Sequence, residues 1–175
     1  MGIVFMGLRN FCSVILLGLA MWAIPSFADD ATTPADKGPV LQVAVIDSDT
    51  KNSLTYAFTM AMLKSMPKTS YSTNTIWTEG ETQFDGVLLT ELLATIGASP
   101  TSVTAWAIND YMAEFSPDEP SWDAALIAYS MNGQNMHVRE KGPLWIVFSY
   151  DESSEFRTDY VYSQSVWQLS RLDVE

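Results

Sequence analysis

Residue types that build covalent and metal-bound sites are nearly missing from this sequence. Its 175 residues include one cysteine, Cys12, and one histidine, His137. Cys12 lies in an N-terminal segment that we expect to be removed, so the mature chain would have no disulfide, thiolate nucleophile or cysteine-bound metal. His137 lies beside Arg139 and Lys141, as is common in an exposed strand, and a lone histidine predicts no transition-metal site. Burial of a hydrophobic core must therefore stabilise the fold.

Positive charge is also scarce. Nine lysines and arginines stand against 21 aspartates and glutamates, which gives a formal net charge of −12. Repulsion from phosphate groups argues against nucleic acid or an anionic membrane surface as a partner. Much of this charge is explained by solubility, and a cationic ligand or a basic protein surface stays open as a partner.

The first 28 residues have the pattern of a secretory signal peptide. Arg9 is their only charge, an apolar run covers residues 11–24, and a small-residue cleavage site follows at 26–28. The run is shorter than the roughly 20 apolar residues that a membrane span needs. We therefore predict cleavage after residue 28, export, and no insertion of the mature protein into the membrane.

The mature chain separates into a short leader and one domain. Residues 29–39 are small, polar and proline-containing and are predicted to be disordered. Residues 40–175 are enough for a single domain that buries about two thirds of its surface. Strand patterns interleave with short helices, so the predicted class is α+β, with a mixed, barrel-like sheet core.

The predicted helices have recognisable ends. Thr59 caps a helix at 60–65, and a second helix at 87–97 ends at Gly97. Strands are predicted at 40–46, 54–58, 69–78, 104–108, 124–131, 144–148 and 166–174, although 124–131 also fits a short helix.

Residues 128–151 contain the loop around which we expect the rest to be arranged. An apolar segment ends in the Asn132-Gly133 pair that a tight hairpin turn needs. Gly142-Pro143 then begins a second apolar run. Two strands would frame this loop and could hold a ligand against the sheet.

Five short motifs, in order and spacing, carry a family resemblance. They are Trp77-(x8)-Gly86-Val87-x-Leu89-x-x-Leu92-Leu93, Ala107-Ile108-Asn109-Asp110-Tyr111, Leu126-Ile127-Ala128-Tyr129-x-Met131-Asn132-Gly133, Gly142-Pro143-Leu144 and Trp167-x-Leu169. Together they resemble the sulfite-oxidase-type molybdopterin-binding domain, from about residue 54 to residue 174. The resemblance implies that fold.

Two departures from the family pattern bear on activity. Catalytic members carry a molybdenum-binding cysteine just upstream of the tryptophan that matches Trp77, and this chain has Thr73 near that position. A threonine hydroxyl is a hard ligand that cannot replace a soft thiolate. Trp145 stands where many catalytic members have an arginine. The metal-dependent reaction is therefore not expected.

The chain is similar to small periplasmic pterin-binding proteins that lack the cysteine. The resemblance implies a non-enzymatic role with no required cofactor, in which a tetrahydropterin-type pterin is bound. It also implies a partner, the periplasmic domain of a membrane enzyme that makes or degrades cyclic di-GMP. Two alternatives stay open, namely a molybdopterin-dependent oxidoreductase with another metal ligand, and an interaction scaffold that has lost its pocket.

A pterin ring stacks on aromatic faces, and its 2-amino-4-oxo edge donates to a carboxylate. Trp77 and Trp145 are the candidates for stacking, with Tyr111 behind them, although tryptophans also serve ordinary core packing. Asp110 is a candidate for the ring edge and fits a turn equally well. Glu79 is the second candidate and is better explained as a solvated turn residue.

Three further residues complete the expected site. Asn109 and Asn132 offer both donors and acceptors to the ring, but a hairpin turn alone explains Asn132. Arg157 lies where family members also carry an arginine, and it could cover the pocket or pair with Asp151 or Glu155. No transition-metal site is predicted.

Overall fold

The computed structural model describes residues 2, 38–47, 50 and 52–175. Apart from Gly2, the predicted signal peptide lies outside this part of the chain, as do residues 29–37 of the predicted leader. In chain order the elements are β1 (Pro39–Ile46), β2 (Ser53–Thr59), α1 (Met60–Ser65), β3 (Thr69–Asn74), β4 (Glu81–Leu88), α2 (Leu89–Thr95), β5 (Val103–Ala107), β6 (Met112–Phe115), β7 (Leu126–Met131), β8 (Gln134–Asn135), β9 (Trp145–Val147), α3 (Asp159–Ser163) and β10 (Leu169–Val174).

The strands form two sheets, which confirms the α+β class with short helices. The first sheet has the order β2-β1-β10-β5-β6, in which β1 and β10 are parallel and every other pair is antiparallel. The second has the order β3-β4-β7-β8, and β9 also pairs with β7. Neither sheet closes on itself within the described residues. The predicted barrel-like core is therefore wrong, because the core lies between two open sheets.

Strand β7 explains how the second sheet carries two cores. Its side chains alternate between faces, as strand geometry requires. Ile127 and Tyr129 join the large cluster shared with the first sheet, whereas Leu126 and Ala128 join a smaller cluster on the other face. A strand buried on both faces reads as a continuous apolar run, and the segment before Asn132 has that composition.

The predicted turn after β7 is confirmed. Asn132 has φ 51° and Gly133 has φ 76°, which are the left-handed conformations of a type I′ hairpin. The segment that follows ends at the Gly142–Pro143 bond, which is cis. β9 then pairs antiparallel with β7, so two strands do frame the loop.

Helix α1 has the predicted bounds and cap. The Thr59 hydroxyl accepts a hydrogen bond from the Met62 backbone N–H. Helix α2 begins at Leu89, two residues later than predicted, because Val87 and Leu88 still pair with β7 as the end of β4. The Gly97 stop is confirmed, since Gly97 has φ 68° and bonds back to Ala94.

The strand boundaries also differ from prediction, and the largest shifts are at β3 and β10. β3 ends at Asn74 because the Thr75 hydroxyl accepts from the backbone N–H groups of Trp77 and Thr78 and turns the chain. β10 begins only at Leu169, after Gln168 in a left-handed conformation, φ 53°. β1 begins at Pro39, at the end of the expected leader, and the other predicted strands shift by one or two residues. The sequence interpretation also missed β4, β6, β8 and α3.

Candidate functional site

Trp77 is the centre of an aromatic cluster that joins the two cores. Its half-buried ring meets four other rings edge to face, at centroid distances of 5.7 to 6.2 Å. Such contacts suit the electrostatics of aromatic rings. We call this set the Trp77 cluster, and its members are Trp77, Trp145, Tyr150, Tyr162 and Trp167.

Trp145 is a packing residue in this arrangement. Its side chain has no exposed surface, and its ring meets Phe84 at 5.3 Å with an interplanar angle of 89°. The Lys141 ammonium lies 5.3 Å from the ring centroids of both Trp145 and Trp167. A ligand therefore does not reach the Trp145 ring unless its neighbours move. Within the described residues its indole Nε1 is buried without a hydrogen-bond partner.

A polar cluster lies beside Tyr150, at the end of β3. Asp151 Oδ2 accepts from the Asn74 backbone N–H at 2.6 Å, from Asn74 Nδ2 at 2.9 Å and from Thr73 Oγ1 at 3.3 Å. These bonds, led by the Asn74 backbone N–H, hold the pKa of Asp151 below its ordinary value of 3.8. The carboxylate is thus oriented and ionised, although 44% of its side chain is exposed.

Arg157 lies next to this carboxylate. Its Nη1 donates to the Tyr150 carbonyl at 3.2 Å and lies 3.9 Å from Asp151 Oδ1. Both charged side chains are nearly half exposed, so solvent screening leaves the ion pair little effect on stability. Three of the predicted residues, Trp77, Trp145 and Arg157, are therefore connected through Tyr150 or direct ring contacts.

The predicted residues Asn109, Asp110 and Tyr111 form the exposed turn between β5 and β6. Asn109 Oδ1 accepts from the Tyr111 backbone N–H at 3.3 Å, and Asp110 has φ 65°. The Tyr111 hydroxyl donates to the Ser163 carbonyl at 2.6 Å. Because Ser163 follows Tyr162 in α3, this turn is linked to the Trp77 cluster only indirectly.

Asn132 is not brought to the other predicted residues by any described contact. Its Oδ1 accepts from the Gln83 backbone N–H at 3.0 Å, and its own N–H donates to the Gln83 carbonyl. These bonds fasten the hairpin turn to β4. The role of Asn132 in the hairpin turn is therefore explained without a ligand. Glu79 lies exposed beside the Gly80 turn.

A cavity of about 620 Å³ lies elsewhere, on the outer face of the first sheet. Of the predicted site residues it includes only Asp110, together with Pro143 from the framed loop. Its floor contains Trp106, whose indole N–H donates to Asp173 at 2.8 Å. We call this cavity the sheet groove.

Sequence reasoning missed the residues that depend on long-range contacts. Asp151 was considered only as an ion-pair partner for Arg157, and Tyr162 and Trp167 were not considered at all as ligand contacts. A usable signal existed for α3, because Thr158 precedes Asp159 and its hydroxyl caps the helix at Val161. No local pattern identifies Asp151, whose donors come from 77 and 78 positions away.

Comparison with known proteins adds no family assignment: no family model and no curated protein matches the chain. None of the helices in the described part is long and apolar enough to cross a membrane. The same residues contain no group of three or more histidine, cysteine, aspartate or glutamate side chains that could hold a metal ion.

Proposed function

We propose that this chain is a non-catalytic, periplasmic pterin-binding protein with a sulfite-oxidase-type fold. Its ligand state would be relayed to the periplasmic domain of a membrane enzyme that makes or degrades cyclic di-GMP. The motif resemblance supports the fold and the role. The contacts of the Trp77 cluster with Asp151 and Arg157 nearby support this proposal, because their chemistry suits a flat, polar ligand.

The observation that carries the proposal is the state of the Asp151 carboxylate. Oδ2 accepts three hydrogen bonds, whereas the described neighbour of Oδ1 is Arg157 at 3.9 Å. Oδ1 keeps lone pairs for a donor such as the 2-amino group of a pterin. The half-buried Trp77 ring lies 6.2 Å from the ring of Tyr150, the residue before Asp151. A flat ligand could use both features.

The surroundings of Thr73 support binding rather than turnover. Its side chain is fully buried, and its hydroxyl donates to Asp151 Oδ2 and accepts from the Asp151 backbone N–H. A hydroxyl engaged in both directions is a poor metal ligand, in addition to being a hard one. In our proposal this position orients the ligand-binding carboxylate.

The proposed mechanism is a binding equilibrium. Pterin binding would stabilise one arrangement of the surface that the membrane partner contacts. The partner's preference for the loaded protein can then be no larger than the difference in pterin affinity between the two arrangements. Export of the protein, as its N-terminal segment predicts, would place it in the same compartment as the partner domain.

Calorimetric titration of residues 29–175 with a reduced tetrahydropterin tests the proposal. A tetrahydrolumazine is the matched ligand, because an oxo group replaces the 2-amino donor and would face the carboxylate with an acceptor. We expect the pterin to bind at least about tenfold more tightly. Molybdenum analysis of the purified protein accompanies the titration.

Two aspartate variants identify the carboxylate that accepts a hydrogen bond from the 2-amino edge of the pterin ring. Asp151→Asn should weaken pterin binding about tenfold or more and abolish the preference over lumazine. Asp110→Asn removes the same charge and should leave both affinities within about twofold. Absence of binding to any pterin would overturn the proposal in favour of an interaction scaffold, and stoichiometric molybdenum would restore the oxidoreductase.

A further inference from the structure

The outer face of the first sheet carries one transverse row of exposed side chains. Gln42 pairs with Arg171, Arg171 pairs with Trp106, and Trp106 pairs with Met112. Paired residues point to the same face of a sheet. Gln42, Arg171 and Met112 are exposed and Trp106 is half buried, so no described element covers this row.

Two loops rise beside this row and form the walls of the sheet groove. One contributes Ile108 and Asp110, and the other contributes Val138. Gln168 joins the two walls: its Nε2 donates to the Val138 carbonyl at 2.6 Å, and its carbonyl accepts from the Ile108 N–H at 3.0 Å. The groove is therefore preformed by hydrogen bonds rather than shaped by a ligand.

Three large apolar side chains at or next to the groove are exposed. The exposed fraction is 54% for Ile108, 48% for Val138 and 46% for Met112. Ile108 and Val138 line the groove together with Trp106, and Met112 pairs with Trp106 on the neighbouring strand. Single exposed apolar residues need no explanation, but a group around an aromatic floor is typical of an interaction site.

The charge of the groove favours a basic occupant. Arg171 lies over the Trp106 ring at 4.7 Å and is paired with Asp173 at 3.1 Å, so its charge is compensated. Within residues 38–47, 50 and 52–175, no side chain pairs with the Asp110 carboxylate. One uncompensated negative charge remains at the rim.

We propose that the sheet groove docks an extended segment of a partner protein that carries an apolar side chain next to a lysine or arginine. The apolar side chain packs on Trp106 between Ile108 and Val138, and the cation pairs with Asp110. A second copy of this chain is a poor occupant, because each copy brings a net charge of −12. No lining residue belongs to the Trp77 cluster, so this inference is independent of pterin binding.

Fluorescence anisotropy of residues 29–175 with three labelled peptides tests this docking site. The probe is Gly-Lys-Leu-Lys-Val-Lys-Gly, and its two matched forms replace every lysine by glutamate or both apolar residues by serine. We expect the probe to bind at least about fivefold more tightly than either matched form. Equal binding of the probe and the serine form would overturn the proposal, because net charge alone would explain it.

Paired variants locate the binding. Asp110→Asn keeps a residue that tolerates the left-handed conformation, and both it and Val138→Ser should weaken probe binding about fivefold or more. Asp123→Asn and Met62→Ser are the controls, because they change an exposed carboxylate and a 44% exposed apolar side chain that do not line the groove. A loss as large in the controls would contradict the assignment. Binding of the peptide probe without binding of any pterin would support the docking site and overturn only the proposed pterin-binding function.

Discussion

Thr73 and Asp151 exchange hydrogen bonds between strand β3 and the loop after β9. Thr73 Oγ1 donates to Asp151 Oδ2 at 3.3 Å, and the Asp151 backbone N–H donates to the same Oγ1 at 3.1 Å. The two residues are 78 positions apart. This exchange joins the end of β3 to the chain after β9, and it orients the carboxylate on which the proposed site depends.

Thr73→Val should therefore destabilise the protein by about 1–2 kcal/mol, because it removes the acceptor of the partly buried Asp151 N–H bond at a position where the Thr73 side chain itself is fully buried. Urea unfolding at pH 7 measures the loss. Thr73→Ser, which retains a hydroxyl, should recover most of it, and Thr55→Val at an exposed position of β2 is the control. A Thr73→Val protein as stable as the parent would mean that the exchange contributes little.

Pterin affinity should depend on pH in the direction set by Asp151. Hydrogen bonds from Asn74 hold the pKa of Asp151 below 3.8, so the carboxylate is ionised at every pH above that value. The affinity ratio of the parent protein to Asp151→Asn should be constant from about pH 8 to pH 5, and should fall only as the pH drops below 3.8. Titrations at several pH values check this, and the ratio cancels the protonation of the pterin itself. A ratio that halves near pH 6 would assign the ring edge to another group.

Asp85 should contribute a pH-dependent part of the stability. Its Oδ1 accepts from Ser70 Oγ at 2.6 Å and from Gln83 Nε2 at 3.1 Å, and the Ser70 bond is the main reason why the pKa of Asp85 lies below 3.8. A depressed pKa in the folded state stabilises the protein above the unfolded value, and the effect is lost as the pH falls through the folded value.

We expect Asp85→Asn to destabilise the protein by roughly 0.5–1 kcal/mol at pH 7 and by less near pH 3. Urea unfolding at the two pH values provides the comparison. Glu81→Gln, at an exposed position of the same strand, should show no such difference between the two conditions. A penalty for Asp85→Asn that is unchanged at pH 3 would show that its ionisation is not involved.

Gly86 should not tolerate a side chain. A Cβ at this position would lie 2.3 Å from the Ile127 carbonyl oxygen and 2.7 Å from Ala128 Cα, and both are backbone atoms of β7. The β4–β7 register also shifts at this position. Gly86→Ala should cost about 2–3 kcal/mol in unfolding free energy because the strands must separate. Gly38→Ala, with no atom within 4 Å of the new Cβ, is the matched control and should stay within about 0.5 kcal/mol.

Elements with local causes were predicted well. The α1 cap at Thr59, the Asn132 turn and the Gly97 stop all depend on residues within a few positions of one another. Boundaries set by pairing were predicted less well. The apolar residues Val87 and Leu88 fit a helix by spacing, yet they pair with β7, because a strand partner from elsewhere in the chain competes with local helical preference.

The candidate site shows the same difference between features with local causes and features set by long-range contacts. The sequence alone indicated which residue types a flat, polar ligand would need, and it singled out Trp77, Trp145 and Arg157. It could not separate a ligand-facing ring from a core ring. The structure buries Trp145 completely, because β9 places its side chain inside the smaller core, and it leaves Trp77 half buried.

Composition and local pattern by themselves determined the acidic charge, the α+β class, the capped helix and the hairpin turn, because each depends on residue type and near neighbours. Tertiary structure decided which carboxylate is oriented and which face of the first sheet stays open. Asp151 acquires its donors, and the sheet groove its walls, from segments far apart in the chain. Contacts of that kind arise only when the strands have paired.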